Sequence, residues 1–141
     1  MDAGAAANPS SLAYMKPTIA IVGASTNRSK FGNQAVRAYA RQGYDVYPIH
    51  PKAQTVEGFR AYPTIDDVPV AELDRVSFYV PPAIGLQVIE HVAKKRVREV
   101  WLNPGAESPG LIARGQALGL NMVVACSIVD IGEDPHRLDT R

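Results

Sequence analysis

Residues 18–33 (TIAIVGASTNRSKFGN) constrain the fold of this chain more than any other stretch. The apolar, β-branched run at 19–22 predicts a buried strand that stops at Gly23. A small, polar loop follows, and apolar residues return at helical spacing after Gly32. A strand, a tight turn and a helix in this order gather backbone N–H groups and the positive end of a helix dipole around one anion. The stretch therefore predicts a phosphate-binding loop at the carboxyl end of the first strand.

The rest of the chain continues the alternation of strands and helices. Apolar runs predict further strands near 44–49, 56–62, 75–80, 99–102 and 121–125. Helical spacing predicts helices at 33–42, 83–95 and 109–118, the last of them capped by Ser108. Parallel strands joined by helical crossovers form a sheet that is covered on both faces. We therefore predict an α/β fold, a doubly wound parallel sheet in a three-layer αβα domain, with strand order 3-2-1-4-5-6.

Length and composition limit the function classes. The chain has 141 residues and a net charge of +1, which gives no global electrostatic case for nucleic acid or an anionic membrane. No apolar run approaches the ~18 residues of a membrane span, and the N-terminus lacks the pattern of a signal peptide. A single cysteine fits a reducing cytoplasm. We expect a loose arm at 1–16, a domain at 17–131 and a frayed polar tail at 132–141.

The predicted strand ends describe a groove for a ligand. They carry the sequences GAST, HPK, VPP, NPG and ACS, which are small, polar or proline-rich. In doubly wound sheets, ligands bind at these carboxyl ends. The first loop is not the dinucleotide fingerprint G-x-G-x-x-G, because Ser25 stands where the second glycine is needed. The loop instead carries two cations, Arg28 and Lys30, beside the predicted phosphate site.

The end of the second strand bears on which nucleotide fits. NAD-binding domains place Asp or Glu there to bind the ribose diol, whereas this chain has His50, Pro51 and Lys52. A lysine at this point favours a phosphorylated ribose, as in coenzyme A or NADP. The three histidines, His50, His91 and His136, do not have metal-ligand spacing, so no metal site is predicted.

These motifs together resemble the small CoA-binding proteins and the CoA-binding domain of the succinyl-CoA synthetase α subunit. The resemblance rests on GASTNRSKFG, GYDVYPIHPK, AYPTIDDVP, FYVPP and GLNMVVACS in this order, and it covers roughly residues 16–131. It implies a Rossmann-like fold that binds coenzyme A or an acyl-CoA across the strand ends. The sequence WLNPGAES departs from the commoner pattern, and the resemblance does not reach the phosphohistidine domain of the synthetase.

The resemblance also implies cofactor-binding roles for residues that match its motifs. The phosphates would be held by Gly23, Ala24, Ser25 and Arg28. The ribose phosphate would be flanked by Pro51 and Lys52, and the adenine by Val80, Pro81 and Pro82. Without the resemblance, the residues support only two of these roles. They are phosphate binding by the first loop, which also contains Lys30 and Gly32, and contact of Lys52 with a ribose phosphate.

Several side chains have an ordinary structural interpretation beside a functional one. Ser25 lacks the G-x-S-x-G context of a nucleophile, which favours phosphate contact. Tyr79 and Trp101 lie in predicted strands, which favours core packing over adenine stacking. Cys126 ends the last strand, and a small buried hydrophobe is favoured over a thiol that forms a mixed disulfide with coenzyme A.

The residues together with the resemblance favour a non-catalytic module that binds coenzyme A or acyl-CoA as a carrier or sensor. No acid–base pair, metal site or activated nucleophile is evident in the sequence, so no enzyme activity is predicted. The alternatives are an NADP-dependent reductase, a subunit of a split acyl-CoA synthetase, and a domain that binds only protein. The predicted partner is a nucleotide cofactor, not nucleic acid or membrane, and a homodimer or an unidentified protein partner stays open.

Overall fold

Strands and helices alternate along residues 15–138, the part of the chain that the computed structural model describes. In chain order the strands are β1 (Thr18–Val22), β2 (Asp45–Ile49), β3 (Thr55–Val56), β4 (Phe59–Arg60), β5 (Glu72–Phe78), β6 (Arg96–Leu102) and β7 (Met122–Val124). The helices are α1 (Phe31–Arg41), α2 (Pro82–Val92), α3 (Pro109–Ala117), α4 (Ser127–Asp130) and α5 (Pro135–Leu138), and a 3₁₀ turn spans Ile65–Asp67.

Five of the strands form one parallel sheet in the order β2-β1-β5-β6-β7. The helices cover both of its faces, which confirms the predicted α/β type with three layers. One face packs Val76, Phe78, Ile89, Leu102 and Leu111, which belong to β5, β6, α2 and α3. The other packs Ile19, Ile21, Val36, Tyr39 and Ile128 between β1, α1 and α4. These side chains are almost fully buried, and the burial of apolar surface is the dominant stabilising contribution in a fold of this kind.

The predicted strand order 3-2-1-4-5-6 is wrong in detail. The segment at 56–62 was expected to form a third strand, but it folds into the antiparallel hairpin β3–β4. Glu57 and Gly58 both have positive φ, 51° and 82°, so the chain reverses there and cannot continue as an extended strand. Only Tyr62 reaches the sheet, where its backbone N–H donates to the Pro48 carbonyl at 2.9 Å.

The C-terminal segment is more ordered than its polar sequence suggests. We expected residues from Gly132 onward to fray, but residues 135–138 form α5, which packs against α1. Leu138 is only 2% exposed and joins the core around Tyr39, and this burial holds the segment in place. The expected arm at 1–16 falls almost entirely on residues outside the described range, as do residues 139–141. Within residues 15–138, no helix combines the length and apolar character needed to cross a membrane.

Candidate functional site

A cavity of about 420 Å³ opens at the carboxyl ends of β1, β5 and β6, and we call it the loop cavity. Six of the residues predicted for the site line it together: Gly23, Ser25, Lys30, Gly32, Val80 and Pro81. The rest of the lining comprises Phe31, Tyr79, Pro104, Gly105 and Ala106. The predicted first loop and the predicted VPP strand end therefore face one cavity, which is the groove expected from the strand ends.

Two glycines allow the loop to approach its neighbours closely. Gly23 has a φ of +90°, and a Cβ at this position would lie 3.0 Å from the backbone of Tyr79. A Cβ on Gly32 would lie only 2.0 Å from the carbonyl oxygen of Gly23. The first turn of α1 therefore packs directly against the end of β1, and no larger residue fits without moving the backbone.

The amino end of α1 faces this loop without a counter-charge of its own. The N-cap residue is Lys30, whose side chain makes no capping hydrogen bond, and the first turn holds no acidic residue. The first N–H groups of a helix have no partner within the helix, and the helix dipole adds partial positive charge there. This end of α1 is therefore suited to bind an anion, with the Lys30 ammonium beside it.

Short-range hydrogen bonds hold the loop in shape. The Oγ of Ser25 accepts from the backbone N–H of Asn27 at 3.0 Å, and the Asn27 side chain accepts from the backbone and hydroxyl of Ser29. From α1, the Asn33 amide donates to the Ser25 carbonyl at 2.9 Å. Because these contacts all lie within the chain, they restrict the loop to one shape and reduce the ordering that ligand binding requires.

Arg28 does not join the other predicted residues in the loop cavity. Its guanidinium forms an ion pair with Glu57, whose second carboxylate oxygen accepts from Asn33 Nδ2 at 3.0 Å. Arg28 lines a different cavity, which we call the arginine cavity, with Arg37, Ala40, Arg41, Glu57, Phe59, Arg137 and Leu138. The loop thus turns its two predicted cations to different sides.

The remaining predicted residues, Ala24, Pro82, Pro51 and Lys52, do not line the loop cavity. Ala24 is buried beneath the loop with 5% exposure, and Pro82 is the first residue of α2. Pro51 and Lys52 are exposed beyond the end of β2. Because Val22 of β1 pairs with Ile49 of β2, these two residues lie at the same edge of the sheet as the loop.

A second cavity of about 410 Å³ adjoins the first, and we call it the C-terminal cavity. Its lining comprises Ser29, Phe31, Gln34, Tyr79, Asn103, Pro104, Cys126, Pro135 and His136. Phe31, Tyr79 and Pro104 belong to both cavities. The strand ends NPG and ACS predicted Asn103 and Cys126 at the groove. The sequence patterns did not indicate Gln34 or Phe31, and they favoured the core for Tyr79 and the tail for His136.

A buried polar network fixes the floor between the two cavities. The Ser127 hydroxyl lies 2.7 Å from the Ser77 hydroxyl and 3.1 Å from the Tyr79 hydroxyl. Asn103 donates to Ser77 Oγ and accepts from the Ser127 backbone N–H, both at 2.8 Å. Burial raises the pKa of the Tyr79 hydroxyl, so this group stays protonated at neutral pH. The network ties the ends of β5 and β6 to the start of α4, which keeps the groove rigid.

Comparison with known proteins shows which family this chain resembles. The model of the CoA binding domain matches residues 17–132, which is most of the chain. The chain belongs to the CoA binding domain family. Its sheet and loop are therefore a Rossmann-like CoA-binding domain, as the motifs of the first loop and the VPP segment predicted.

Relatives of this domain include both small proteins and parts of larger ligases. The chain is 30% identical over 83 residues to the alpha subunit of ADP-forming acetate–CoA ligase II from Pyrococcus furiosus, and the match covers 58% of the chain but 18% of that protein. A hypothetical protein from Pyrococcus horikoshii superimposes with a TM-score of 0.75 at 27% identity, covering 90% of the chain and 86% of that protein. Acetyl-coenzyme A synthetase 1 from Ca. Korarchaeum cryptofilum, in complex with phosphate and ADP, matches with a TM-score of 0.66 at 32% identity, covering 75% of the chain and 25% of the synthetase.

Proposed function

We propose that this domain binds coenzyme A or an acyl-CoA, with the phosphates in the loop cavity, and that it acts as a carrier or sensor and not as a catalyst. The observation that carries the proposal is the amino end of α1, which has no side-chain cap and no acidic residue in its first turn, and which lines the loop cavity together with Lys30. Membership of the CoA binding domain family supports the choice of ligand.

The charges around the groove favour Lys30 over Arg28 as the cation that contacts the pyrophosphate. Lys30 lines the loop cavity, whereas the Arg28 charge is already balanced by Glu57. Breaking the Arg28–Glu57 pair would leave a half-buried carboxylate without its cation, which has a free-energy cost. The pyrophosphate is therefore held by the backbone of the loop, by the first turn of α1 and by Lys30.

The ribose phosphate is proposed to bind beside Pro51 and Lys52. Both residues are exposed at the carboxyl end of β2, next to the end of β1 in the sheet. No acidic residue occupies this strand end, where a ribose diol would need a carboxylate acceptor. Val80 and Pro81 form an apolar wall of the loop cavity against which the adenine is proposed to pack.

Isothermal titration calorimetry with coenzyme A, dephospho-coenzyme A, NADP and NAD tests this function. We expect coenzyme A to bind tightest, and dephospho-coenzyme A to bind more weakly because it lacks the phosphate that faces Lys52. Tighter binding of NADP than of coenzyme A would favour a reductase and contradict the proposal. An absence of binding by all four nucleotides would favour a domain that binds only protein.

Two variants examine how the phosphates are held. Lys30→Ala is expected to weaken coenzyme A binding about tenfold, because a charge-assisted contact is lost. Arg28→Ala is expected to change it by less than about threefold, since the structure directs Arg28 to Glu57. Lys94→Ala is a matched control, because Lys94 is exposed just after α2 and before β6, at the opposite edge of the sheet. A larger loss in Arg28→Ala than in Lys30→Ala would contradict this assignment.

A subunit of a split acyl-CoA synthetase is the second candidate. The observation in its favour is the match to the alpha subunit of the Pyrococcus furiosus ligase. Because the chain matches 18% of that subunit, the ligase reaction would require further domains from elsewhere. Affinity purification that recovers an ATP-binding protein together with this chain would support this candidate over a free carrier.

A further inference from the structure

We infer that the C-terminal cavity binds the thioester end of an acyl-CoA, and that this end of the ligand supplies an N–H or O–H group to the Oε1 atom of Gln34. The inference rests on the proposed function, because it requires the phosphates to occupy the adjoining loop cavity. It makes a short-chain acyl-CoA the preferred ligand of the domain.

The two cavities are neighbours at the carboxyl ends of the strands and share part of their lining. Phe31, Tyr79 and Pro104 contribute to both linings, so a ligand that passes these three side chains leaves one cavity and enters the other. Phe31 is 59% exposed, which is a large apolar surface for the first position of a helix. A ligand running from the loop cavity into the C-terminal cavity would cover it.

The walls of the C-terminal cavity suit an apolar group of modest size. Phe31, Pro104 and Pro135 present rings to it, and the free Cys126 lines it as well. Its volume of about 410 Å³ lies at the small end of the range of ligand sites. Pro135 and His136 close one side, and both lie beyond residues 17–132, the part that matches the family model.

The side chain of Gln34 carries the strongest evidence for a ligand. Gln34 is 3% exposed and lines the C-terminal cavity. Its Nε2 donates to the Ser29 carbonyl at 3.1 Å, which fixes the orientation of the amide. Its Oε1 is buried and is the only buried side-chain polar atom within residues 15–138 that has no hydrogen-bond partner. Buried acceptors are normally satisfied, so a donor from outside the chain, either a ligand group or a water molecule, is expected at this oxygen.

A coenzyme A thioester offers such a donor in two places. The pantetheine arm has amide N–H groups close to the sulfur, and some acyl groups carry a hydroxyl. Either group would satisfy the Gln34 acceptor while the apolar remainder packs on Phe31 and Pro135. If a pantetheine amide is the donor, the binding of every coenzyme A ligand should depend on Gln34. If an acyl hydroxyl is the donor, only the binding of a hydroxyacyl-CoA should depend on it, so binding measurements distinguish the two sources.

The test compares Gln34→Met with the control Gln116→Met, which places the same change on the exposed face of α3. Calorimetry is performed with adenosine 3′,5′-bisphosphate, coenzyme A, butyryl-CoA and 3-hydroxybutyryl-CoA. We expect Gln34→Met to weaken the coenzyme A ligands about fivefold to tenfold and the bisphosphate by less than about twofold. A uniform loss over the three coenzyme A ligands identifies a pantetheine amide as the donor, and a loss confined to 3-hydroxybutyryl-CoA identifies the hydroxyl.

The bisphosphate lacks the pantetheine arm, so it separates the inference from the proposed function. If Gln34→Met leaves every coenzyme A ligand unchanged, or weakens the bisphosphate equally, the inference is overturned while the proposed function stands. If the unmodified protein binds none of the four ligands, both are overturned. Circular dichroism melting of Gln34→Met checks that the variant folds without the loop contact to Ser29.

A second variant tests the size of the cavity. Cys126→Leu adds volume to the wall, and it is expected to weaken butyryl-CoA about fivefold more than it weakens coenzyme A. Equal effects on the two ligands would place the acyl group outside this cavity.

Discussion

Replacing Gly32 by alanine tests whether the close packing of α1 against β1 sets the geometry of the loop. The Cβ of an alanine here would lie 2.0 Å from the Gly23 carbonyl oxygen and 3.2 Å from the Ala24 Cα. Both are backbone atoms, so no side chain can rotate away to make space. The first turn of α1 must move by more than about 1 Å, since ordinary van der Waals contacts begin near 3.4 Å.

The position of Gly32 in its helix provides a matched control. Gly32 is the second residue of α1, and Gly110 is the second residue of α3, where an added Cβ would meet nothing within 4 Å. In Gly110→Ala, the gain in helix propensity is expected to stabilise the domain by about 0.5 kcal/mol. In Gly32→Ala, the same gain is outweighed by overpacking of about 3 kcal/mol. The net loss of about 2.5 kcal/mol lowers the melting temperature by roughly 10 °C.

Urea unfolding followed by circular dichroism measures both changes in the free energy of unfolding. Calorimetry on the folded variants measures coenzyme A binding, which we expect to fall at least about tenfold in Gly32→Ala and to remain unchanged in Gly110→Ala. If Gly32→Ala were as stable as Gly110→Ala and bound coenzyme A normally, the contact between α1 and β1 would not set the loop geometry, and this reasoning would fail.

Three further measurements address the ribose phosphate, the buried phenols and the cysteine. Lys52→Ala is expected to weaken coenzyme A about fivefold but leave dephospho-coenzyme A unchanged in calorimetry, and equal losses would contradict the assignment of the ribose phosphate. Burial raises the pKa of Tyr39 and Tyr79 above 10.0, so the free energy of unfolding should hold below about pH 10 and fall above it, because only the unfolded chain then releases these protons. Urea unfolding over alkaline pH checks this, and ionisation of both phenols near pH 10 in the folded protein would refute it. Saturating butyryl-CoA should slow alkylation of Cys126 by iodoacetamide, as followed by mass spectrometry, and an unchanged rate would place the ligand elsewhere.

The parts of the fold that depend on local sequence could be predicted well. The run at 19–22, the stop at Gly23 and the cap at Ser108 act through neighbouring residues, and the structure shows β1, the turn and the start of α3 where these signals lie. The prediction of a third strand at 56–62 was wrong because the sequence of a strand does not show which other strand it pairs with. The turn at Gly58 pairs the segment with itself instead of with the sheet.

The sequence patterns predicted the loop that lines the loop cavity, but they did not predict the residues that line the C-terminal cavity from α1. Gly23 and Gly32 are recognisable from their places in a strand–turn–helix pattern. The partner of Arg28 lies 29 residues away at Glu57, and nothing near Arg28 in the sequence indicates this ion pair. Gln34 occupies one position on an amphipathic helix, and only the packing of the C-terminal segment against α1 shows that it lines a cavity. Such distant contacts are determined by the tertiary fold, which local patterns do not contain.

A crystal structure of the protein with bound coenzyme A would test the central claim most directly. We predict pyrophosphate oxygens within about 3 Å of backbone N–H groups in the first turn of α1, with the Lys30 ammonium alongside and the sulfur in the C-terminal cavity. Phosphates bound instead in the arginine cavity by Arg28 would contradict the account, because the loop and the amino end of α1 would then not be the phosphate site.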